Sequence, residues 1–267
     1  MSKVKKFLQK KAVENVPGPA LDAVGRAVLK AVDLAVDRRW DDALEIAAEA
    51  EGDTPEERTA SIISRFKKEL TLVGAATGAI AAAPVVGTAT AAGALAADMA
   101  WFAMRATDLI MAIGAANGHT EATGEERRAW VLAVLAFGEE SAQKFTSLLG
   151  EVGGADAADV LSQRAAGMVG GDALTLDALR RINTDLAGQV VAKYGTRRSA
   201  LAIGKLLPFG VGAVVGGTAN YGFVRMVGGH ARDFFNEAAG LLPAGGRIFQ
   251  RRPRHLSSVP DGNGDSA

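Results

Sequence analysis

Apolar residues recur at three- and four-residue intervals along most of the chain, which is the spacing of one face of an α-helix. Between residues 21 and 51 this pattern predicts one long helix or two short ones, and a second such face predicts a helix that ends at Tyr194-Gly195. Their apolar positions are Leu21, Val24, Val28, Val32, Ala35 and Val36 in the first region, and Leu176, Leu179, Ile182, Leu186, Val190 and Val191 in the second. No strand pattern of alternating apolar and polar residues stands out. The predicted fold class is therefore all-α, a multi-helix bundle.

Two capping boxes predict where helices begin. Thr54 and Glu57 stand on either side of Pro55, and Thr123 and Glu126 have the same spacing. In such a box the threonine hydroxyl and the glutamate carboxylate each accept a hydrogen bond from the backbone N–H of the other residue. Proline also suits the first position of a helix. We expect one helix to start near Pro55 and another immediately after Thr123.

The ends of the remaining helices are predicted from single residues. The helix that follows Thr123 is expected to run through Phe145, and Thr175 is expected to cap the next long helix. A helix that starts at Asp98 is expected to end at Gly118, because glycine adopts the left-handed conformation that often terminates a helix. Glycines between residues 150 and 171 indicate connectors around a short helix near 158–166.

Two stretches, residues 71–97 and 206–224, contain no charged residue. Pro84 and Gly87 lie near the centre of the first and predict two half-length helices joined by a tight bend. In the second stretch, Gly212, Gly216 and Asn220 recur at intervals of four, a spacing that lets another helix approach closely. We predict two hairpin-like segments that form either the core or a membrane-contacting layer. The predicted helix-packing positions are Gly74, Gly78, Gly87, Gly212 and Gly216.

Polar residues inside or near these stretches form the candidate buried polar site: Asp98, Arg105, Asn220 and Arg225. Burying a polar group without a partner costs about 1–3 kcal/mol, so each of them requires an explanation. In the structural explanation, Asp98 caps a helix or pairs with Arg105, Asn220 joins two helices, and Arg105 and Asp108 belong to an ion-pair ladder. The alternative is a site for a ligand, an ion or a proton.

The chain has no recognisable catalytic motif. Glu125 and Glu126 follow Thr123 and are better explained by helix capping than by acid–base catalysis. The three histidines lack the spacing of a zinc-binding helix, and no nucleophile elbow or phosphate-binding glycine loop is present. We therefore predict no catalytic residue, no metal and no cofactor. An enzyme that uses Asp98 and its neighbours remains the least favoured hypothesis.

Charge and composition add information about compartment and partners. The 267 residues have a formal net charge of zero and no cysteine, which suits a reducing cytoplasm. Basic residues are concentrated in residues 1–20 and in a disordered tail over 246–267, and they flank a mildly acidic α-helical domain over 21–245. The acidic domain argues against nucleic acid as a partner. The basic ends suit anionic lipid, and Val4, Phe7 and Leu8 give the amino-terminal segment a short apolar face without the apolar core of a signal peptide.

The order of these features resembles the EcsC family over roughly residues 60–240. The residues that carry the resemblance are Pro84, Gly87, Asp98, Arg105 and Glu126, followed by Pro208, Gly212, Gly216 and Asn220. One departure is Asn117-Gly118, where many relatives have a Tyr-Gly pair. The resemblance implies an α-helical bacterial protein without an established enzymatic activity.

Two functional hypotheses follow. The first is a non-enzymatic, membrane-associated protein at the inner face of the cell membrane, with lipid or a membrane protein as its partner. The second is a soluble helical module that binds another protein or a small ligand and keeps the uncharged stretches as its core. Both are compatible with the composition, and neither fixes an oligomeric state.

Overall fold

The computed structural model describes residues 18–80, 88–151, 176–195 and 213–238. The α-helices are α1 (Gly18–Arg38), α2 (Trp40–Glu49), α3 (Pro55–Ile80), α4 (Thr88–Ala116), α5 (Gly124–Phe137), α6 (141–151), α7 (Leu176–Tyr194) and α8 (Ala213–Ala238). A 3-10 turn, Gly138–Glu140, separates α5 from α6. No strand occurs in these ranges, and the predicted all-α class is confirmed.

Helix α4 is the centre of the bundle. Every residue from Ala106 to Ala116 is buried, and α1, α2, α3, α5 and α8 all pack against this helix. A helix that is buried on all sides belongs to the interior of a protein. The largest side chains of the surrounding core are aromatic, and several meet edge to face: Trp130, Phe145, Phe234 and Phe235. Helix α7 packs against α1 and α5.

Helices α3 and α8 pack side by side in opposite directions. The side chain of Asn220 donates from Nδ2 to the backbone oxygen of Leu70 over 2.7 Å, while two turns further along α8, Gly228 lies against Ile63. Asn220 therefore joins two helices by a hydrogen bond, as the sequence predicted. The predicted packing roles of Gly74, Gly78 and Gly216 stay predictions.

Both predicted capping boxes are confirmed. The backbone N–H of Glu57 donates to Oγ1 of Thr54 at 3.1 Å, and Glu57 Oε2 accepts from Thr54 N at 3.2 Å. Thr123 and Glu126 make the same reciprocal pair, at 3.3 and 2.7 Å. These helix starts were predictable because all of their atoms lie within four consecutive residues.

Other predicted helix boundaries were partly wrong. The helix after Thr123 stops at Phe137, because Gly138 has a φ of +63° and breaks it before Phe145. Asp98 does not cap a helix, because α4 already begins at Thr88. Gly118, with a φ of +96°, does follow the end of α4.

Several predicted features lie outside the described residues. Pro84, Gly87 and Gly212 are among them, together with the short helix near 158–166. The basic amino-terminal segment to residue 17 and the tail beyond residue 238 are also outside, so the predicted domain limits stay predictions. Helices do lie on both sides of the segment that contains Pro84.

Gly25 lies at a close contact between helix backbones, where α1 crosses α7. A Cβ atom at Gly25 would lie 2.8 Å from the backbone oxygen of Val191, which is closer than real Cβ atoms come. Gly188, also on α7, is exposed, and a Cβ there would meet nothing within 4 Å. The two glycines have the same helical propensity but opposite steric surroundings.

We expect Gly25→Ala to lower the free energy of unfolding by about 1–2 kcal/mol, because overpacking outweighs the gain in helix propensity. Gly188→Ala is the matched control and should raise it by up to about 1 kcal/mol. Urea denaturation of both variants measures the difference. Equal changes in the two variants would contradict the close crossing.

Candidate functional site

No hydrogen bond or salt bridge joins any two of the four predicted polar residues in the described ranges. Arg105 pairs with Asp108, and Asn220 contacts the backbone of Leu70. Asp98 and Arg225 are exposed, and neither forms a salt bridge with any other residue that the structure describes. A shared ligand site built from all four side chains therefore has no geometric support in the described ranges.

Asp108 is instead the centre of a buried ion network. Its Oδ1 accepts from Nε of Arg39 at 2.6 Å, and its Oδ2 accepts from Nη1 of Arg105 at 2.8 Å. Arg105 also donates to Glu69 and stacks over the ring of Phe66, with 4.9 Å between the guanidinium carbon and the ring centre. The hydrogen bond to Asp108 raises the pKa of Arg39.

This Asp108 network connects the α1–α2 junction, α3 and α4. Only the pair of Arg105 and Asp108, three residues apart on α4, was predicted, and it is confirmed. Arg39 and Glu69 were missed because they come from other helices, and no local spacing indicates them. Each carboxylate oxygen of Asp108 accepts from a guanidinium group, so this residue is a structural ion-pair partner and is poorly placed to act as a general base.

Glu125 makes a contact that helix capping does not explain. Its Oε2 accepts from Nδ2 of Asn183 on α7 at 2.7 Å, and the same amide donates to the backbone oxygen of Glu125 at 3.0 Å. Asn183 is fully buried. The pair therefore fixes α7 against the start of α5, which is a packing role.

The two histidines in the described ranges differ in their surroundings. His119 is buried, with Trp130 and Phe235 as ring neighbours at 5.5 and 5.6 Å between centres. His230 lies over Gly138, and burial lowers its pKa. Among the described residues, no group of three or more potential metal ligands comes together.

Asp98 lies inside α4 at the border of its uncharged portion. Although the residue is exposed, partial desolvation of the carboxylate raises its pKa. A raised pKa means that ionised Asp98 is less favourable in the folded chain than in the unfolded chain. The destabilisation is present above the raised pKa and disappears as the pH falls below the ordinary value for aspartate.

We therefore expect Asp98→Asn to be more stable than the wild type at neutral pH. The advantage should shrink as the pH is lowered through the raised pKa of Asp98, because the wild-type carboxyl then becomes neutral as well. Urea denaturation of both proteins over a pH series provides the test. A constant difference between the two proteins would show that the carboxylate charge is not its cause.

The uncharged parts of three helices lie at the same end of the bundle. They are residues 71–80 of α3, 88–97 of α4 and 213–224 of α8, and we call them the uncharged end. The end of α3 and the start of α4 are separated by only seven residues, and α8 lies against both helices. Phe102 and Phe223, with 4.9 Å between ring centres, join α4 to α8 just inside this end.

A belt of aromatic and basic side chains borders the uncharged end. Tyr221 is 45% exposed, and the ammonium group of Lys67 lies 5.0 Å from the centre of its ring. Trp101 is half-buried against Phe102, while Lys68 and Arg225 are exposed. Beyond the belt, Leu72 is exposed over 72% of its surface. Amphipathic aromatic rings with nearby lysines are typical of protein segments at the boundary between lipid and water.

Among the described helices, one segment, Ala96–Ala116, is long and apolar enough to cross a membrane. Within its most apolar window, 78% of the residues are buried inside the protein. Its apolar surface is therefore used mainly for packing against other helices.

Comparisons with models of known protein families, with curated protein sequences and with solved structures give no match for this chain.

Proposed function

We propose that this chain is a non-enzymatic, membrane-associated helical protein that inserts its uncharged end into one leaflet of a bilayer. The observation that carries the proposal is the convergence of three uncharged helical segments next to the belt of Tyr221, Trp101 and lysines. At this border Glu69 is paired with Arg105, whereas Asp98 is exposed without a salt bridge in the described ranges. We also propose that the resemblance to the EcsC family reflects a true relationship.

The length of the uncharged end favours insertion into one leaflet over a complete crossing. Its segments contain 10 to 12 residues each, which correspond to about 15–18 Å of helix. The hydrocarbon core of a bilayer is about 30 Å thick, so the segments match one leaflet. The exposed Lys68 and Arg225 would then lie at the level of the lipid headgroups.

The proposed location is the cytoplasmic face of the cell membrane. Anionic lipids at that surface attract basic segments by about 1 kcal/mol for each lysine or arginine near the surface. The basic residues of segment 1–20 would add to this attraction. Lipid is the proposed partner, and the acidic body makes nucleic acid a poor alternative.

Membrane fractionation tests this proposal. The full chain is expressed, membranes are separated, and the pellet is washed with alkaline carbonate. We expect the protein to be found in the membrane pellet and to resist the carbonate wash, because carbonate removes proteins that are held only by charge. A protein found wholly in the soluble fraction would overturn the proposal, and complete release by carbonate would overturn insertion.

A further inference from the structure

A cavity of about 230 Å³ lies between α1, α4, α5, α7 and α8. Most of its wall is apolar and includes Met99, Phe102, Phe223, Met226 and Val227. Three polar side chains also line it, and all of them lie against the end of α5: Lys193, Tyr194 and His230. The combination of an apolar wall and a few convergent polar groups is typical of small-molecule sites.

Lys193, an exposed residue that lines the cavity, supplies the positive charge among these polar groups. Its ammonium group donates to the backbone oxygens of Leu135 and Ala136 at 2.8 and 2.9 Å, which are carbonyls in the last turn of α5. A lysine ammonium has three N–H donors, so one donor remains after these two bonds. Lys193 has no salt bridge to any carboxylate of the described residues, and no acidic residue is among the described lining.

The other two polar groups do not neutralise this charge. Burial raises the pKa of Tyr194 to about 12, so its hydroxyl stays protonated and donates to Leu135 O at 3.2 Å. Burial lowers the pKa of His230, which favours the neutral imidazole at neutral pH. The cavity therefore combines a mostly apolar wall with one cation that has no carboxylate partner among the described residues.

We propose that this cavity binds an unbranched aliphatic carboxylate, with the carboxylate at Lys193 and the alkyl chain along Phe102, Phe223 and Met226. The complementary charge selects an anion, and the apolar wall selects an alkyl chain. With about 30 Å³ for each water-sized group, the cavity volume corresponds to roughly eight groups. An eight-carbon chain is therefore the ligand length to test first, and it is smaller than a membrane phospholipid.

Photo-crosslinking of the full chain tests this site. The probe is an eight-carbon carboxylate with a diazirine on its chain, and octanoate and octanol are the competitors. We expect labelling of the cavity residues and competition by octanoate at concentrations at least tenfold lower than octanol. Each methylene removed from the competitor should weaken it about fourfold. Labelling away from the cavity, or equal competition by the acid and the alcohol, would overturn the proposal.

Variants at Lys193 separate charge recognition from folding. Lys193→Met should remove the preference for octanoate over octanol, whereas Lys193→Arg should retain it. Lys144→Met, at an exposed lysine on α6, is the matched control and should behave like the wild type. If Lys193→Met is too unstable to test, Lys193→Arg still tests the role of the charge. Loss of the preference for octanoate over octanol in Lys193→Arg would contradict an electrostatic role.

A second variant tests the apolar wall. Ala103 lines the cavity and is almost fully buried, so Ala103→Phe would fill part of the space. We expect labelling to fall at least tenfold while the melting temperature shows that the chain remains folded. If a folded Ala103→Phe protein is labelled like the wild type, the alkyl chain does not occupy this cavity. These results are independent of membrane insertion, because labelling is mapped to the cavity residues.

Discussion

Replacing Asp108 by alanine is expected to lower the free energy of unfolding by about 3 kcal/mol. Its carboxylate is 3% exposed and pairs with two arginines, and loss of one member of a buried ion pair typically costs about 3–5 kcal/mol. We take the lower end, because Arg39 is 33% exposed and its charge can still be hydrated. For a protein of this size, the melting temperature should fall by roughly 6–12 °C.

Asp42→Ala is the matched control for this loss. Asp42 also faces Arg39, at 3.6 Å, but its side chain is 59% exposed. A pair of this kind contributes at most about 1 kcal/mol. The same melting experiment compares both variants, and equal losses would contradict a special role for the buried carboxylate.

A double-mutant cycle identifies the partner of Asp108. Asp108→Ala and Arg39→Met should show a coupling of at least about 1 kcal/mol, because the two side chains are in direct contact. Arg232→Met, on the exposed side of α8, should show no coupling to Asp108→Ala. Additive losses for Arg39 and Asp108 would mean that their hydrogen bond contributes little.

The second large effect concerns membrane binding. Gly93 is an exposed residue of α4, and a Cβ atom there would meet nothing within 4 Å. It lies eight residues before Trp101, which is about 12 Å along the helix and inside the uncharged end. We expect Gly93→Asp to weaken binding to phospholipid vesicles about 100-fold, because burying an aspartate at the centre of a membrane helix costs about 2.5–3.5 kcal/mol.

Vesicle flotation of the purified chain measures this change. Gly93→Ala should bind like the wild type, which separates the added charge from the loss of glycine. Gly188→Asp places the same charge at an exposed, open glycine of α7 and should also bind normally. If Gly93→Asp floats with vesicles as well as these controls do, the uncharged end does not enter the bilayer.

The sequence predicted features whose atoms lie close together along the chain. The capping boxes at Thr54 and Thr123 depend on residues three positions apart, and the pair of Arg105 and Asp108 lies within one helical turn. The bond from Asn220 was predicted from a polar residue in an apolar stripe, although its partner was not. These are local patterns, so a single sequence contains enough information for them.

Features created by contacts between helices could not be predicted in the same way. Gly25 and Gly114 are isolated glycines in helical sequence, yet the first faces the backbone of Val191 and the second faces the ring of Phe235. No local sequence pattern distinguishes Lys193, which lines the cavity only because α7 packs beside α5. Such roles depend on which helices become neighbours.

The hydrogen bond between Leu70 and Asn220 also has a consequence for biosynthesis. Its two residues are 150 positions apart, so α3 is complete long before its partner helix leaves the ribosome. At about 5–20 residues per second, the delay is roughly 8–30 s. During that interval the apolar side of α3, including Ile63 and Leu70, has no α8 to cover it. Chains that terminate before α8 would keep this surface uncovered and be prone to aggregate, which makes the carboxyl-terminal third of the protein decisive for its solubility during synthesis.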